Sequence, residues 1–150
     1  MFLGVWAENK MNVRQLSLKE AEYSAFEMAK EYMTWDEPIP DFKTRYPNIL
    51  ESCVATPFQT FLRKPLYKKL TGKGAMLFYL MIKNHPFENG NKRIAVMTLL
   101  VFLYLNRKWL SVSNDELYRF AVGVAAGNPK LKDENIVQIE KFLRDHLIPF

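Results

Sequence analysis

The sequence predicts an all-α fold, and three observations support this prediction. Apolar residues recur at helical spacing along most of the chain, prolines and glycines fall between these stretches, and no segment alternates apolar and polar residues as a half-buried strand does. The chain has 150 residues, 49% of them hydrophobic, which is enough for one sizeable core. We therefore expect one compact helical domain over residues 1–150, with room for a single short β-hairpin.

The first predicted helix follows a capping box. Ser17 and Glu20 have the spacing at which each side chain accepts a hydrogen bond from the other residue's backbone N–H group, and apolar residues recur at helical intervals behind them. This pattern predicts a helix over residues 18–34. The prolines within residues 35–42 disfavour helical geometry and predict a loop.

The middle of the chain predicts two further helices. A short helix is expected over residues 48–55, and extended or irregular chain over residues 57–61. The next helix is expected to begin at Pro65 or Leu66 and to reach Asn84.

Two consecutive segments are apolar on every side. They are AMLFYLMI, residues 75–82, and the run over residues 94–105, in which Thr98 is the one polar residue. Neither run is long enough to cross a bilayer, so we expect two buried helices at the centre of the domain and no transmembrane segment.

The C-terminal third predicts the last two helices. Ser113 and the polar residues after it indicate a helix start, and the sequence GNP at residues 127–129 indicates its end. The final helix is expected over residues 131–147. One face of it carries Ile136, Ile139, Phe142, Leu143 and Leu147.

The charge and the cysteine content indicate which partners the protein could bind and which cellular compartment suits it. The net charge is +5, and the cations are densest in RKPLYKKLTGK, residues 63–73, which permits nucleic-acid binding but is more typical of a solvated basic face. Cys53 is the only cysteine, so no disulfide or zinc motif is expected. The N-terminal residues lack the pattern of a signal peptide, and we expect a cytoplasmic protein.

The loop HPFENGNKR, residues 85–93, lies between the two apolar helices. Pro86 disfavours helical geometry at His85, so the preceding helix should end there. Gly90 permits a positive φ, and Asn91 is a suitable N-cap that would make Lys92 the first helical residue.

Two cations at this helix start predict an anion site. Lys92 and Arg93 stand where the helix dipole disfavours positive charge, but together with uncapped backbone N–H groups they complement a phosphate. His85 on the opposite side of the loop is a candidate general base, with helix capping as its structural alternative. Phe87 is expected to anchor the loop in the core.

The loop resembles the signature of the Fic/Doc family, His-x-Phe-x-acid-Gly-Asn-x-Arg. The similarity extends to residues 48–61, which resemble the family's Leu-Glu-Ser-Ala segment and the residues after it, to residues 94–105, which resemble its central helix, and to residues 121–127. About two-thirds of the chain is covered by this resemblance.

The resemblance implies a Fic-fold helical bundle that uses ATP with Mg²⁺ to modify a hydroxyl of a protein substrate. It assigns the base to His85 and phosphate contacts to Gly90, Asn91 and Arg93. Lys92 is a further candidate for phosphate binding because of its positive charge. The resemblance also implies a flap that aligns the target chain, with Gln59, Thr60 and Phe61 as its candidate residues.

Lys92 stands where most AMP-transferring members have glycine. The chain is therefore more similar to the death-on-curing (Doc) toxin branch of the family. This resemblance implies phosphorylation of a translation factor such as elongation factor Tu. AMP transfer remains the alternative. No segment fits the family's inhibitory helix, so a separate antitoxin chain is expected to restrain a toxin of this kind.

Asn89 stands where the family usually has an acidic residue for Mg²⁺. An amide oxygen is a weaker ligand for this ion than a carboxylate, and Glu88 beside it is the less favoured replacement. Two alternatives to an active enzyme stay open, the first because of Asn89 and the second because of the basic run over residues 63–73. They are a degenerate nucleotide-binding or partner-binding Fic protein and a basic nucleic-acid-binding helical domain.

Overall fold

The computed structural model describes residues 12–33 and 39–150. The sequence predictions for residues 1–11, for Thr34 and for the loop as far as residue 38 lie outside these ranges. Within them the chain is mostly helical, which confirms the predicted fold class. None of the helices in the described ranges is both long and apolar enough to span a bilayer.

Helix α1 consists of three consecutive segments, Leu18–Glu20, Ala21–Phe26 and Glu27–Tyr32, of which the middle one has the wider turns of a π-helix. Its predicted capping box is confirmed. The Ser17 Oγ accepts from the Glu20 N–H at 3.1 Å, and a Glu20 carboxylate oxygen accepts from the Ser17 N–H at 3.0 Å.

Helix α2, Pro47–Ala55, confirms the short helix expected here and continues into a single 3₁₀ turn, Thr56–Phe58. The one hairpin that the sequence left room for follows. Its strands β1, Thr60–Phe61, and β2, Lys64–Pro65, pair in antiparallel fashion.

Helix α3, Leu70–Lys83, begins later than predicted. The expected start at Pro65 or Leu66 is wrong because Pro65 is paired with Thr60 in the hairpin, and Leu66 donates its N–H to the Gln59 carbonyl at 3.0 Å. Residues 66–69, between β2 and α3, are therefore loop.

The core centres on α3 and on α4, Asn91–Leu105, as predicted from their all-round apolar sequences. Gly74 lets the helices approach closely. A Cβ at this position would lie 3.3 Å from Leu143 Cδ1 and 3.4 Å from Leu99 Cδ1. Cys53 is buried in the same core, and burial raises the pKa of its thiol to about 12.

Helices α5, Asn114–Ala126, and α6, Lys132–His146, agree with the predicted pair within one residue at each end, and the 3₁₀ turn Pro129–Leu131 separates them. The Ser113 Oγ caps α5 by accepting from the Glu116 N–H at 3.1 Å. Ile139 and Leu143 of α6 are fully buried.

A second two-stranded sheet was not predicted. Strand β3, Lys108–Leu110, pairs in antiparallel fashion with β4, Leu147–Pro149, at the end of the chain. Each strand has three residues, too few to show an alternating pattern, and the two lie far apart in the sequence.

Candidate functional site

The residues at the ends of α3, α4 and α5 surround a cleft of about 630 Å³. The cleft is lined by Ile82, His85, Glu88, Asn89, Gly90, Asn91, Lys92, Arg93, Tyr118 and Ala125. Its lining includes every residue for which the sequence predicted a catalytic, phosphate-binding or metal-binding role. We call residues 85–93 the motif loop below.

His85 lies immediately after the end of α3, as predicted, and its side chain is exposed at the cleft. Its φ of 49° is left-handed, a conformation that costs a residue with a side chain about 1–2 kcal/mol. The next residue is tied down, because the Tyr46 N–H donates to the Pro86 carbonyl at 2.8 Å. The surrounding contacts thus hold His85 in a position that it would not adopt by local preference.

Phe87 anchors the motif loop in the core, as expected. It is 2% exposed, and its ring lies 5.5 Å from that of Phe26 and 5.8 Å from that of Phe42, measured between centroids. Phe26 and Phe42 are themselves 5.1 Å apart, edge to face. Three aromatic rings from α1, the segment before α2 and the loop therefore form one cluster beneath the site.

Asn91 is not the helix N-cap that the sequence predicted. Helix α4 begins at Asn91 and its N-cap is Gly90, so the prediction of Asn91 as N-cap and Lys92 as first helical residue is wrong by one position. The Asn91 side chain is buried and faces the loop: Oδ1 accepts from the Phe87 N–H at 3.0 Å, and Nδ2 donates to the Phe87 carbonyl at 2.9 Å. The Asn91 side chain thus forms the two hydrogen bonds with Phe87 that another backbone segment would otherwise form, and these bonds close the loop.

The same amide nitrogen lies 3.4 Å from His85 Nδ1. This distance is long for a hydrogen bond, and Asn91 already donates to Phe87 at the shorter distance. The imidazole ring thus lies beside the start of α4.

Gly90 makes the tight turn possible. Its φ of 72° is left-handed, and a Cβ here would lie 3.3 Å from Ile39 Cγ1 and 3.5 Å from Arg93 Nη2. Since glycine has no side chain, the backbone N–H groups in the first turn of α4 have no side-chain cap among the described residues. Uncapped N–H groups at a helix start are donors for an anion.

The two cations of the motif loop are placed differently. Arg93 is 4% exposed, and its Nη1 donates to the Met33 carbonyl at 3.2 Å, so part of the guanidinium supports the chain after α1. Lys92 is half-buried at the edge of the cleft. Arg93 is thus held by the fold, whereas Lys92 is the more accessible of the two charges.

The far wall of the cleft, Tyr118 and Ala125 of α5, was not identified from the sequence. Their spacing of seven residues, which puts them on one face of a helix, is the signal that could have found them. Lys83 Nζ holds this wall by donating to the Ala125 carbonyl at 2.9 Å and to the Gly127 carbonyl at 2.5 Å. No sequence pattern indicated that role.

The predicted flap residues lie elsewhere. Gln59, Thr60 and Phe61 are exposed in and before β1, and none of them lines the cleft. Their role in aligning a target chain stays a prediction.

The donor set of the cleft does not fit a resident Mg²⁺ ion. Glu88 is the one carboxylate among the lining residues and Asn89 is a neutral amide, both exposed. No three His, Cys, Asp or Glu side chains come together anywhere in the part of the chain that the structure describes. Magnesium favours carboxylate and phosphate oxygens, so the protein alone offers too few ligands.

Comparison with known proteins agrees with the motif and its setting. The model of the Fic/DOC family matches residues 16–103, more than half of the chain. A relative described as Toxin Doc, from Mycolicibacterium smegmatis, is 32% identical over 75 residues, which are 50% of this chain and 58% of the relative. The match thus spans little more than half of that relative's length, and no solved structure matches the chain. The family match includes α1, α2, the hairpin, the motif loop and most of α4. Because the match covers more than half of the chain, the protein belongs to the Fic/DOC family.

Proposed function

We propose that the protein is a toxin that transfers a phosphoryl group from a nucleoside triphosphate, ATP, to a hydroxyl of a protein substrate. One observation carries the proposal. An exposed imidazole, His85, and the uncapped, cationic start of α4 line the same cleft.

The start of α4 is suited to hold the triphosphate. The first-turn N–H groups donate to phosphate oxygens, and the positive end of the helix dipole adds to their attraction. Lys92 supplies a point charge and Arg93 a planar group that can bond two oxygens. Both cations lie at the positive end of the helix dipole, where a bound phosphate is favourable.

His85 supplies the base. A neutral imidazole accepts the proton of the target hydroxyl while its oxygen bonds to the γ-phosphorus, and the bond between that phosphorus and the bridging oxygen breaks to release ADP. Any Mg²⁺ would be held chiefly by the phosphate oxygens of ATP, because the cleft offers only one carboxylate, that of Glu88. The protein's own contribution is to position the phosphates and accept the proton.

Lys92 favours phosphoryl transfer over AMP transfer. The ammonium occupies space in the cradle that a glycine would leave for another part of the nucleotide. In the alternative reaction the hydroxyl attacks the α-phosphorus and pyrophosphate leaves, again with His85 as base. The similarity to Toxin Doc supports the toxin assignment and a separate antitoxin as partner. As the protein substrate we propose a component of the cytoplasmic translation machinery, with elongation factor Tu as the first candidate.

Label transfer from ATP into a bacterial extract tests the proposal. We expect label from [γ-³²P]ATP on a protein band, none from [α-³²P]ATP, and loss of the label with His85→Ala. His146→Ala is the matched control, because this second histidine lies at the end of α6 with its Nδ1 2.8 Å from the Phe142 carbonyl. Absence of label from either phosphate with wild-type protein would refute the proposal.

Asn89 favours a second candidate function, a nucleotide-binding protein that has lost turnover. Its neutral side chain lines the cleft where a carboxylate would help to hold Mg²⁺. Calorimetry with ATP and Mg²⁺ combined with label transfer separates the two. ATP binding without transfer, together with transfer by Asn89→Asp, would favour the degenerate protein, whereas equal transfer by both forms would favour the enzyme.

A further inference from the structure

A second cleft, of about 540 Å³, has no lining residue in common with the candidate site. Met28 of α1, Trp109 of β3 and Phe150 line it together with residues of α4. None of its lining residues carries a charge. We call this cleft the apolar groove.

Aromatic rings at the edge of the apolar groove are exposed to solvent. Tyr104 is 51% exposed, Phe150 is 71% exposed, and Met28 beside them is 37% exposed. The Phe150 ring lies 4.7 Å from that of Tyr104 and 5.7 Å from that of Trp109, measured between centroids. Exposed apolar side chains that contact one another in this way are typical of a surface that another segment covers.

Backbone hydrogen bonds fix the aromatic side of the groove. Trp109 is paired with Ile148 in the sheet of β3 and β4, and the Phe150 N–H donates to the Arg107 carbonyl at 3.1 Å. The groove is thus formed before anything binds in it, which lowers the entropy that is lost on binding.

The first described residues lie beside this groove. The Arg14 N–H donates to Asn106 Oδ1 at 2.7 Å, and Asn106 Nδ2 donates to the Arg14 carbonyl at 3.0 Å. Asn106 is the C-cap of α4 and directly follows Tyr104 and Leu105, which both line the groove. The Asn106 amide therefore holds the chain next to the groove at the point where the N-terminal segment joins the fold.

The N-terminal segment has a composition that matches the groove. Residues 1–7, MFLGVWA, contain no charged side chain and include two aromatic ones, Phe2 and Trp6. The chain between residues 7 and 14 can extend over roughly 23 Å. The groove follows α4 from Met97 to Tyr104, a distance of roughly 10 Å along the helix axis. The segment is therefore long enough to reach the whole groove.

We propose that residues 1–7 bind in the apolar groove of their own chain, with Phe2 and Trp6 as the side chains that fill it. Burial of apolar surface drives this contact, and each of the two aromatic side chains can remove about 150–250 Å² from water. The contact joins the N-terminal segment to α1, α4 and Phe150. It does not depend on the proposed function, because the groove and the candidate site share no residue.

Attachment to the same chain favours this occupant over a separate molecule. The segment is held near the groove at a high effective concentration by the contact between Arg14 and Asn106. A second copy of the chain or a different protein would lose translational and rotational freedom on binding, and the tethered segment does not.

NMR spectroscopy of the full chain, labelled with ¹³C at the methionine methyl groups, tests the proposal. Met28 and Met97 line the groove, whereas Met76 is buried in α3 and does not. We expect a nuclear Overhauser effect between the Trp6 indole protons and the Met28 methyl group. Because ring currents shift nearby resonances, Trp6→Ala should move the methyl resonances of Met28 and Met97 by more than a linewidth and leave that of Met76 in place.

Two control variants separate the groove from the rest of the surface. Phe61→Ala removes an exposed ring from the hairpin and should leave the Met28 and Met97 resonances unchanged. Tyr104→Glu places a carboxylate at the edge of the groove and should shift the Trp6 indole resonance to its position in a solvated peptide. Val137→Glu, which changes a 65% exposed apolar residue of α6 in the same way, should leave the Trp6 resonance unchanged.

Three results would overturn the proposal. The first is a wild-type Trp6 indole resonance at the position of a solvated peptide, without an Overhauser effect to Met28; the groove is then empty or is kept for another protein. The second is an equal response of the Trp6 resonance to Tyr104→Glu and Val137→Glu. The third is an Overhauser effect that appears between a labelled and an unlabelled chain in a mixture, because a second copy then supplies the segment.

Discussion

The motif loop and the β1–β2 hairpin are both short connections before a long buried helix, but they are built in opposite ways. In the motif loop the side chains of Phe87 and Asn91 are buried and hold the backbone, so the backbone N–H groups are left for a ligand. In the hairpin the backbone groups pair with each other, and the side chains of Phe61 and Leu62 are exposed. The first construction leaves backbone N–H groups at the start of α4 available to a ligand, and the second leaves apolar side chains exposed.

The largest expected difference concerns two phenylalanines. Phe87→Ala removes one ring of the aromatic cluster under the site and should lower the free energy of unfolding by about 3–5 kcal/mol. Phe61→Ala should change it by less than about 0.5 kcal/mol, because this ring is 67% exposed. Urea denaturation of both variants checks the comparison, and similar losses would contradict it.

A smaller effect is expected at the two left-handed turns. Gly90→Ala places a side chain at a φ of 72° and 3.3 Å from Ile39 Cγ1, and it should destabilise the protein by about 1–2 kcal/mol. Leu62→Gly removes a side chain from a similar conformation at the hairpin tip and should leave stability unchanged or raise it by up to about 1 kcal/mol. A loss of stability with Leu62→Gly would show that its side chain supports the fold.

The smallest expected effect is the pH dependence contributed by Lys73, which is buried and donates to the carbonyls of Pro57 and Tyr67 on either side of the hairpin. Burial lowers the pKa of Lys73 from its usual 10.5, so the unfolded chain binds a proton more readily than the folded one. The stability of wild type relative to Lys73→Met should therefore rise as the pH increases toward 10.5. Urea titrations between about pH 7 and pH 10 measure this difference, and a difference that falls with pH would contradict the assignment.

The sequence predicted the elements whose ends carry local signals. Ser17 and Ser113 cap the helices that they were expected to start, and Gly127 follows the helix that it was expected to end. The all-round apolar sequences of α3 and α4 also predicted correctly that these helices are central. In each case the physical cause lies within a few residues of the feature.

Features that depend on distant partners were missed or misplaced. Pro65 permits a helix start, and only its pairing with Thr60 excludes one. Asparagine is a common N-cap residue, but the side-chain amide of Asn91 is hydrogen-bonded to the backbone of Phe87 instead. Lys83, which fixes the far wall of the cleft, acts on carbonyls of residues more than forty positions away. Such contacts leave no periodic trace in the sequence.

The central claim is that the start of α4 holds a triphosphate, and a calorimetric titration tests it most directly. Wild-type protein is titrated with ATP, ADP, AMP and adenosine in the presence of Mg²⁺, and so are Lys92→Met and the control Lys130→Met. We expect affinity to fall with each phosphate removed, ATP affinity to fall about tenfold with Lys92→Met, and Lys130→Met to behave like wild type. Equal affinity for ATP and adenosine, or an unchanged ATP affinity in Lys92→Met, would contradict the account.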